Sequence, residues 1–410
     1  MNKWKIGTAV TVAGALAFAF TGTAHAGSSP NAVSPAFESG LPAMGYSTWY
    51  QYRTAANEAD VLAEAQELVS SGLAAAGYTT VNLDDGWMLP ARDSSGNLVA
   101  DPSKFPDGMA FVSGKLHAMG LKLGIYEAIG TRTCQGFPGS YGHYTQDAAL
   151  FASWQVDYVK ADACGGTNPS DESSLATDFE QFGGDLRADS PDILFSQELP
   201  VPFIGTTSYG PAIQSSASWA NSWRIASDEY LTTTNPTASA VIVANLNADI
   251  HLHGYAHSDH WNDLDFVIPP SIMPSPTASN YLTEEETQLG GWAIESSPML
   301  VSTNLSDLSS AELTALKNPD VRAIDDSGAQ SSLEVTYSHV EAFVKPAEGG
   351  TAVYLVNTGT GTASAVFTLA QLGISGTEVP GRNVWTGGTG TWGGLTAVIP
   401  AGGSQLLILQ

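Results

Sequence analysis

Basic residues are scarce in this 410-residue chain: 15 Lys and Arg stand against 41 Asp and Glu, for a net charge of −26. Such an imbalance repels phosphate backbones and anionic headgroups, which argues against nucleic acid or a membrane surface as a partner. No Gly-x-Ser-x-Gly pentapeptide is present, so a serine nucleophile on a strained turn is set aside. No Gly-rich phosphate loop follows the early strands; Gly165-Gly166 lacks the basic residue and helix start of a P-loop and reads as a turn. Beyond the first 26 residues no segment is apolar enough to span a bilayer. What is present is a 43% hydrophobic share over a length that implies two or three domains, enough for a large core. Small neutral substrates fit this balance.

The amino terminus reads as a secretory signal over residues 1–26. Lys3 and Lys5 form the basic start, Ile6 to Phe20 the apolar run, and Ala24-His25-Ala26 the small-residue cleavage pattern. Cleavage there leaves 13 basic residues against 41 acidic ones, a net charge of −28. The expected location is extracellular. Only two cysteines follow, Cys134 and Cys164, and an even count in an exported chain is read as a disulfide, with two separate buried thiols as the alternative.

After a Ser/Pro/Ala-rich lead, residues 27–40, short apolar runs alternate with helical patterns up to about residue 331. The expected strands are Met44–Thr48, Thr79–Leu83, Leu121–Tyr126, Asp157–Ala161, Ile193–Ser196, Trp223–Ala226, Leu264–Ile268 and Met299–Ser302. Helical spacing marks the intervening segments; in Glu58–Ser70, for instance, Val61, Leu62, Ala65, Leu68 and Val69 follow the cap residue Asn57. Eight strands, each followed by a helix, predict an α/β fold of the (β/α)8 barrel type over residues 41–331. Residues 332–410 shift to Val, Thr and Gly alternation and predict an antiparallel β-sandwich domain. Its expected role is packing against the barrel, with sugar binding through Trp385 and Trp392 as an alternative.

Chemistry in such a barrel sits at the carboxyl ends of the strands, and acids dominate those positions. Asp84-Asp85, Asp162, Glu198, Asp228, Asp263 and Asp265 all fall there. Lys160 and Asp162 are two apart on one strand and point to the same side, which sets an ammonium beside a carboxylate and holds it ionised. One ionised carboxylate and one proton-donating carboxyl are what a retaining glycosidase requires; Asp162 and Asp228 are the candidates, with Arg224 placed to orient Asp228. Trp49, Trp87 and Tyr126 are candidate walls for a sugar ring. His251, His253, His257 and His260 are crowded into ten residues, but only His260 adjoins an expected strand. They read as a polar loop or solvated surface, and no metal or cofactor is expected.

An ordered series of motifs extends this reading. It runs through Leu41-Pro42-Ala43-Met44-Gly45, Trp49, Gly77-Tyr78, Asp84-Asp85-Gly86-Trp87, Lys104 to Met109, and His117 to Tyr126. It continues with Thr133-Cys134, Pro138-Gly139-Ser140, Val156 to Cys164, Trp223-Arg224 with Asp228, Trp261-Asn262-Asp263 with Asp265, and Ser297 to Leu300. Over residues 41–410 the chain resembles glycoside hydrolase family 27, the α-galactosidase and α-N-acetylgalactosaminidase family. The resemblance implies double displacement with Asp162 as nucleophile and Asp228 as acid/base, and a sugar subsite lined by Trp49, Asp84, Asp85, Tyr126, Lys160 and Arg224; the strand-end acids Glu198 and Asp265 are further candidates for substrate binding. It also implies a Cys134–Cys164 disulfide beside the site, and Asp84 and Asp85 on the sugar's 4- and 6-hydroxyls. The chain departs from the family pattern at Gly86, where many relatives carry Cys, at Glu127, at Glu198-Leu199-Pro200, and at His260, Leu264 and Phe266. The expected activity is that of a secreted, exo-acting α-galactosidase. The alternatives are a relative with shifted specificity (a β-L-arabinopyranosidase, an α-N-acetylgalactosaminidase or an isomalto-dextranase) and a non-catalytic carbohydrate-binding protein.

Overall fold

A computed structural model describes residues 40–165, 171–228, 238–249, 252, 254–269, 281–329 and 331–410. The expected signal, all but the last residue of the lead, His251 and His253 lie outside the described residues. No helix among the described residues is long and apolar enough to cross a membrane.

Eight parallel strands form the first domain: β1 (Met44–Ser47), β2 (Thr80–Leu83), β3 (Lys122–Ala128), β4 (Tyr158–Asp162), β5 (Leu194–Gln197), β6 (Ser222–Arg224), β7 (Trp261–Asp263) and β8 (Met299–Val301). They are hydrogen-bonded in the order β7-β6-β5-β4-β3-β2-β1-β8, so the sheet curls until its first and last strands are neighbours. All but the first residue of β5 are buried, because helices cover the outside while side chains fill the inside. Asn57 caps the helix Glu58–Ser70 reciprocally with Asp60, and Val61, Ala65 and Leu68 of that helix are buried.

One expected strand is misplaced. The seventh ladder runs over Trp261–Asp263 rather than Leu264–Ile268, since Asp265 takes φ 87°, which no ladder residue adopts. The apolar run is still buried, and it closes the barrel by another route: Val267 donates to Leu300 O and accepts from the Ser302 amide, both at 2.9 Å.

The second domain holds β9 (Ser332–Tyr337), β10 (Val340–Ala347), β11 (Gly350–Asn357), β12 (Ala363–Phe367), β13 (Val379–Asn383), β14 (Thr389–Trp392), β15 (Leu395–Ile399) and β16 (Ser404–Leu409). A six-stranded antiparallel sheet, β14-β13-β16-β11-β10-β9, faces the two-stranded β12-β15. The run Leu395–Ile408 holds two strands in different sheets. Pro400 interrupts it, and Gly402 (φ 70°) and Gly403 turn the chain. On the central strands Val353, Leu355 and Leu407 face β12 and β15, while Ala352, Tyr354, Leu406 and Ile408 join the barrel's core. Burial of both faces explains why these strands read as nearly continuous apolar runs. Tyr354 donates from its hydroxyl to Thr287 O (2.7 Å), and Lys345 Nζ to Ala293 O (2.9 Å), which ties this sheet to the barrel helix Tyr281–Glu295. Trp385 packs against the main core and Trp392 against the second. Both rings are partly buried.

Gly86 has φ 95°, and a Cβ on it would come within 2.7 Å of Thr54 Cβ. The two loops that meet there are joined by Lys104, whose Nζ donates to Thr54 O at 2.7 Å and to Gly86 O at 2.6 Å. Replacing this ammonium leaves two enclosed carbonyls without a charged donor. Lys104→Met is expected to destabilise the protein by about 2–3 kcal/mol. Urea unfolding measures this directly, and an unchanged midpoint would refute the tie.

Candidate active site

The carboxyl ends of the barrel strands surround a pocket of about 90 Å³, open to solvent, lined by Trp49, Tyr50, Asp84, Asp85, Tyr126, Cys134, Gln135, Lys160, Asp162, Arg224, Asp228, Asp265 and Phe266. Nine of the ten residues expected to be catalytic or substrate-binding share this wall. The tenth, Glu198, is buried behind it and bonded to Arg224. Tyr50, Gln135 and Phe266 were not anticipated. Tyr50 adjoins Trp49, and Phe266 lay within an expected strand; Gln135, in the loop after Cys134, carried no signal. Trp87 is absent from the wall: it is fully buried, donates Nε1 to Tyr126 O (2.9 Å), and packs edge-on against Trp154.

The floor is built around one lysine. Alternation along β4 puts Lys160 and Asp162 on the same face, and Lys160 Nζ lies 2.9 Å from Asp162 Oδ1 and 3.4 Å from Asp84 Oδ2. Its remaining surroundings are rings, with Tyr126 4.8 Å and Phe266 5.6 Å from the ammonium. Burial opposes charge on Lys160, yet Asp162, Asp84 and Glu198 outweigh it and hold the ammonium well above its ordinary range. Asp84 follows β2; its amide donates to Thr48 Oγ1 (2.9 Å), and its Oδ1 accepts the Asp85 amide (2.8 Å). Burial raises the Asp84 carboxyl, Lys160 counters, and Asp162 pushes it further up.

A second cation organises the opposite side. Arg224, at the end of β6, reaches Asp265 Oδ1 at 3.0 Å and Glu198 Oε1 at 3.4 Å through Nη1, and Asp228 Oδ1 at 3.3 Å through Nη2. Burial disfavours its charge, but Asp265, Asp228 and Glu198 hold the guanidinium firmly protonated. Burial, followed by repulsion from Asp162, drives the Glu198 carboxyl well above the carboxylate range despite Lys160 and Arg224. Asp265 keeps its left-handed backbone because its amide donates to Asp263 Oδ1 and its carbonyl accepts Trp292 Nε1, both at 2.8 Å. The two ends of the site differ in access: the Asp162 side chain is 10% exposed and that of Asp228 55%.

The third side is the loop carrying the Cys134–Cys164 disulfide, whose Cα atoms are 5.1 Å apart. Closing this 30-residue separation stabilises the fold by about 3–4 kcal/mol on a chain-entropy argument. The loop also serves the pocket: the Gln135 amide donates to Asp85 Oδ2 (2.9 Å), and Cys134 Sγ lies 3.4 Å from Asp162 Oδ2. Among the described residues, the one group of His, Cys, Asp and Glu donors close enough to share a metal is Cys134, Asp162 and Cys164, whose sulfurs are spent on each other. His260 instead contacts Ala220 O through Nδ1 (2.6 Å) and packs 4.4 Å from the His257 ring.

Burial pushes Asp85 up to about 6, against the Gln135 hydrogen bond that favours its charge. In the folded state the carboxyl therefore takes up a proton more readily than in the unfolded chain. Above pH 6 both states are ionised and the fold carries the full desolvation penalty; as pH falls through 6 towards the ordinary value the penalty vanishes. Asp85→Asn is accordingly expected to raise stability by up to about 3 kcal/mol above pH 6, with the gain gone near pH 4. Thermal unfolding across pH measures it, and a gain that persists at pH 4 would contradict this account.

Comparison with known proteins fits the geometry. Residues 42–327 match the family model described as alpha galactosidase A, and residues 338–409 that of the alpha galactosidase C-terminal beta sandwich domain. A probable α-galactosidase A of Aspergillus clavatus is 30% identical over 356 residues, covering 84% of this chain and 66% of that one, so the chain spans just under two thirds of that relative's length. The α-galactosidase of Coffea arabica is 32% identical over 379 residues, 90% of this chain and 93% of its own. The crystal structure of α-galactosidase I from Mortierella vinacea superposes with a TM-score of 0.80 at 25% identity, covering 93% of this chain and 98% of that one. The chain therefore belongs to the α-galactosidase family, glycoside hydrolase family 27.

Proposed function

We propose that the protein is a secreted, exo-acting α-galactosidase that removes terminal α-D-galactosyl residues by double displacement with retention of configuration. The observation that carries this reading is the pairing, on one pocket, of a buried carboxylate held against an ammonium with a second carboxyl half open to water. Asp162 has Lys160 at 2.9 Å, which holds the carboxylate in place for attack on the anomeric carbon. Asp228, steadied by Arg224, protonates the departing glycosidic oxygen. Because it is exposed, it then reaches a water, takes that water's proton, and delivers hydroxide to the anomeric carbon of the galactosyl-Asp162 ester. Acids outnumber the two cations on the wall, so the pocket stabilises the positive charge that develops on the sugar ring. No cofactor enters these steps.

Asp84 and Asp85 supply acceptors side by side for the 4- and 6-hydroxyls, with Trp49 and Tyr126 as the apolar walls. A terminal pocket closed at its floor by buried residues suits removal of one sugar from a chain end. The relatives named as α-galactosidases support the choice of galactose.

The test is turnover of aryl α-galactoside beside aryl β-L-arabinopyranoside, aryl α-N-acetylgalactosaminide and isomalto-oligosaccharide, with and without chelator. Chelator-insensitive preference for α-galactoside, with the α-anomer released first by NMR, is expected. Preference for another sugar would overturn the substrate, and release of the β-anomer the mechanism.

Asp162→Asn is expected to lower kcat by roughly 10⁴-fold or more. Asp228→Asn is expected to cost about 10²- to 10⁴-fold on a phenol leaving group. On a dinitrophenol leaving group, which departs without protonation, the sugar-transfer step measured by its burst is expected to lose far less. Equal losses on both would remove Asp228 as the acid.

A further inference from the structure

Arg53 sits where its own backbone opposes it. It ends the short helix Trp49–Tyr52 with φ 52° and ψ −132°, a conformation open to glycine and strained for any other residue. The surroundings enforce it: the Arg53 amide donates to Trp49 O, and the carbonyl of the next residue, Thr54, is gripped by Lys104 Nζ at 2.7 Å. A glycine would occupy the position without strain, so the arginine is held there for what its side chain does.

That side chain is exposed, and its guanidinium carbon lies 5.1 Å from the centroid of Trp49 and 4.7 Å from that of Tyr50. Both rings line the pocket. Lys160 and Arg224, the cations of the wall itself, are committed to carboxylates; among the described residues Arg53 forms no ion pair. In a chain with 15 bases and 41 acids, a cation beside an acidic pocket with no acid of its own in the described structure is out of the ordinary. Stacking on rings fixes the guanidinium plane and leaves its N–H edges for a ligand, and that fork matches a carboxylate through two parallel hydrogen bonds. The bound sugar fills the floor, so the group it leaves behind projects past the mouth. A negative charge there meets the excess of acids on the wall, and Arg53 is placed to offset it.

We propose that Arg53, stacked on Trp49 and Tyr50, forms a cationic leaving-group subsite that takes an acidic saccharide, one bearing a carboxylate next to the sugar removed. This rests on the α-galactosidase activity proposed above. Two aryl α-galactosides that differ only in carrying a carboxylate or its neutral amide on the aryl ring test it in the full-length mature protein. The wild type is expected to favour the carboxylate, and Arg53→Met to reduce the ratio of the two kcat/KM values by about three- to tenfold. Arg53→Lys is expected to retain part of the preference, and added salt to weaken it in the wild type. Arg53→Gly is expected to lose the preference while raising the thermal midpoint, a separation that a purely structural role would not produce. With the neutral substrate turned over, a ratio unmoved by Arg53→Met overturns the subsite alone; a wild type silent on both substrates overturns the activity and the subsite with it. A lower midpoint in Arg53→Gly would overturn the strain argument.

Discussion

The pocket depends on an ammonium that has been taken out of water. Lys160 is buried, and burial of a charge is tolerated only where partners replace the lost solvent. Here Asp162 and Asp84 do so at 2.9 and 3.4 Å, with the faces of Tyr126 and Phe266 on the remaining sides. The dependence is mutual, since Lys160 counters the burial that raises the Asp84 carboxyl. Arg224 repeats the device across the pocket with three acids. The site is thus two cation-centred clusters facing one cavity, with acid in excess over base.

The barrel makes such clusters available by geometry alone. Each strand ends on the same face, so residues distant in sequence, Asp84 after β2, Lys160 on β4 and Arg224 on β6, converge without any long connection between them. The second domain stands outside this arrangement and steadies the barrel helix Tyr281–Glu295 through Tyr354 and Lys345.

Much of this was legible in the chain. Apolar runs at regular intervals located seven of the eight strands, and the rule that chemistry lies at strand ends led from those runs to nearly all of the pocket's acids. What was hidden depended on single backbone angles or on packing. The positive φ of Asp265 moved the seventh ladder to Trp261–Asp263 and turned an apparent strand into the barrel's closing bridge. Pro400 and the glycines after it divide the run Leu395–Ile408 between two sheets. Trp87 looked like a sugar wall, yet it belongs to the core, where its Nε1 donates to Tyr126 O and its ring packs against Trp154. Gln135 acts through its main-chain amide, which every residue but proline carries, so its identity held no clue.

Two ties hold the loops around the pocket, and they respond to different chemistry. The Cys134–Cys164 bond secures the loop that carries Gln135. Lys104 secures the loop of Thr54 to that of Gly86. The first needs an oxidant to form, whereas the second forms without one. A reductant would therefore slacken one rim while sparing the other, so the cavity reaches its finished shape only in oxidising surroundings.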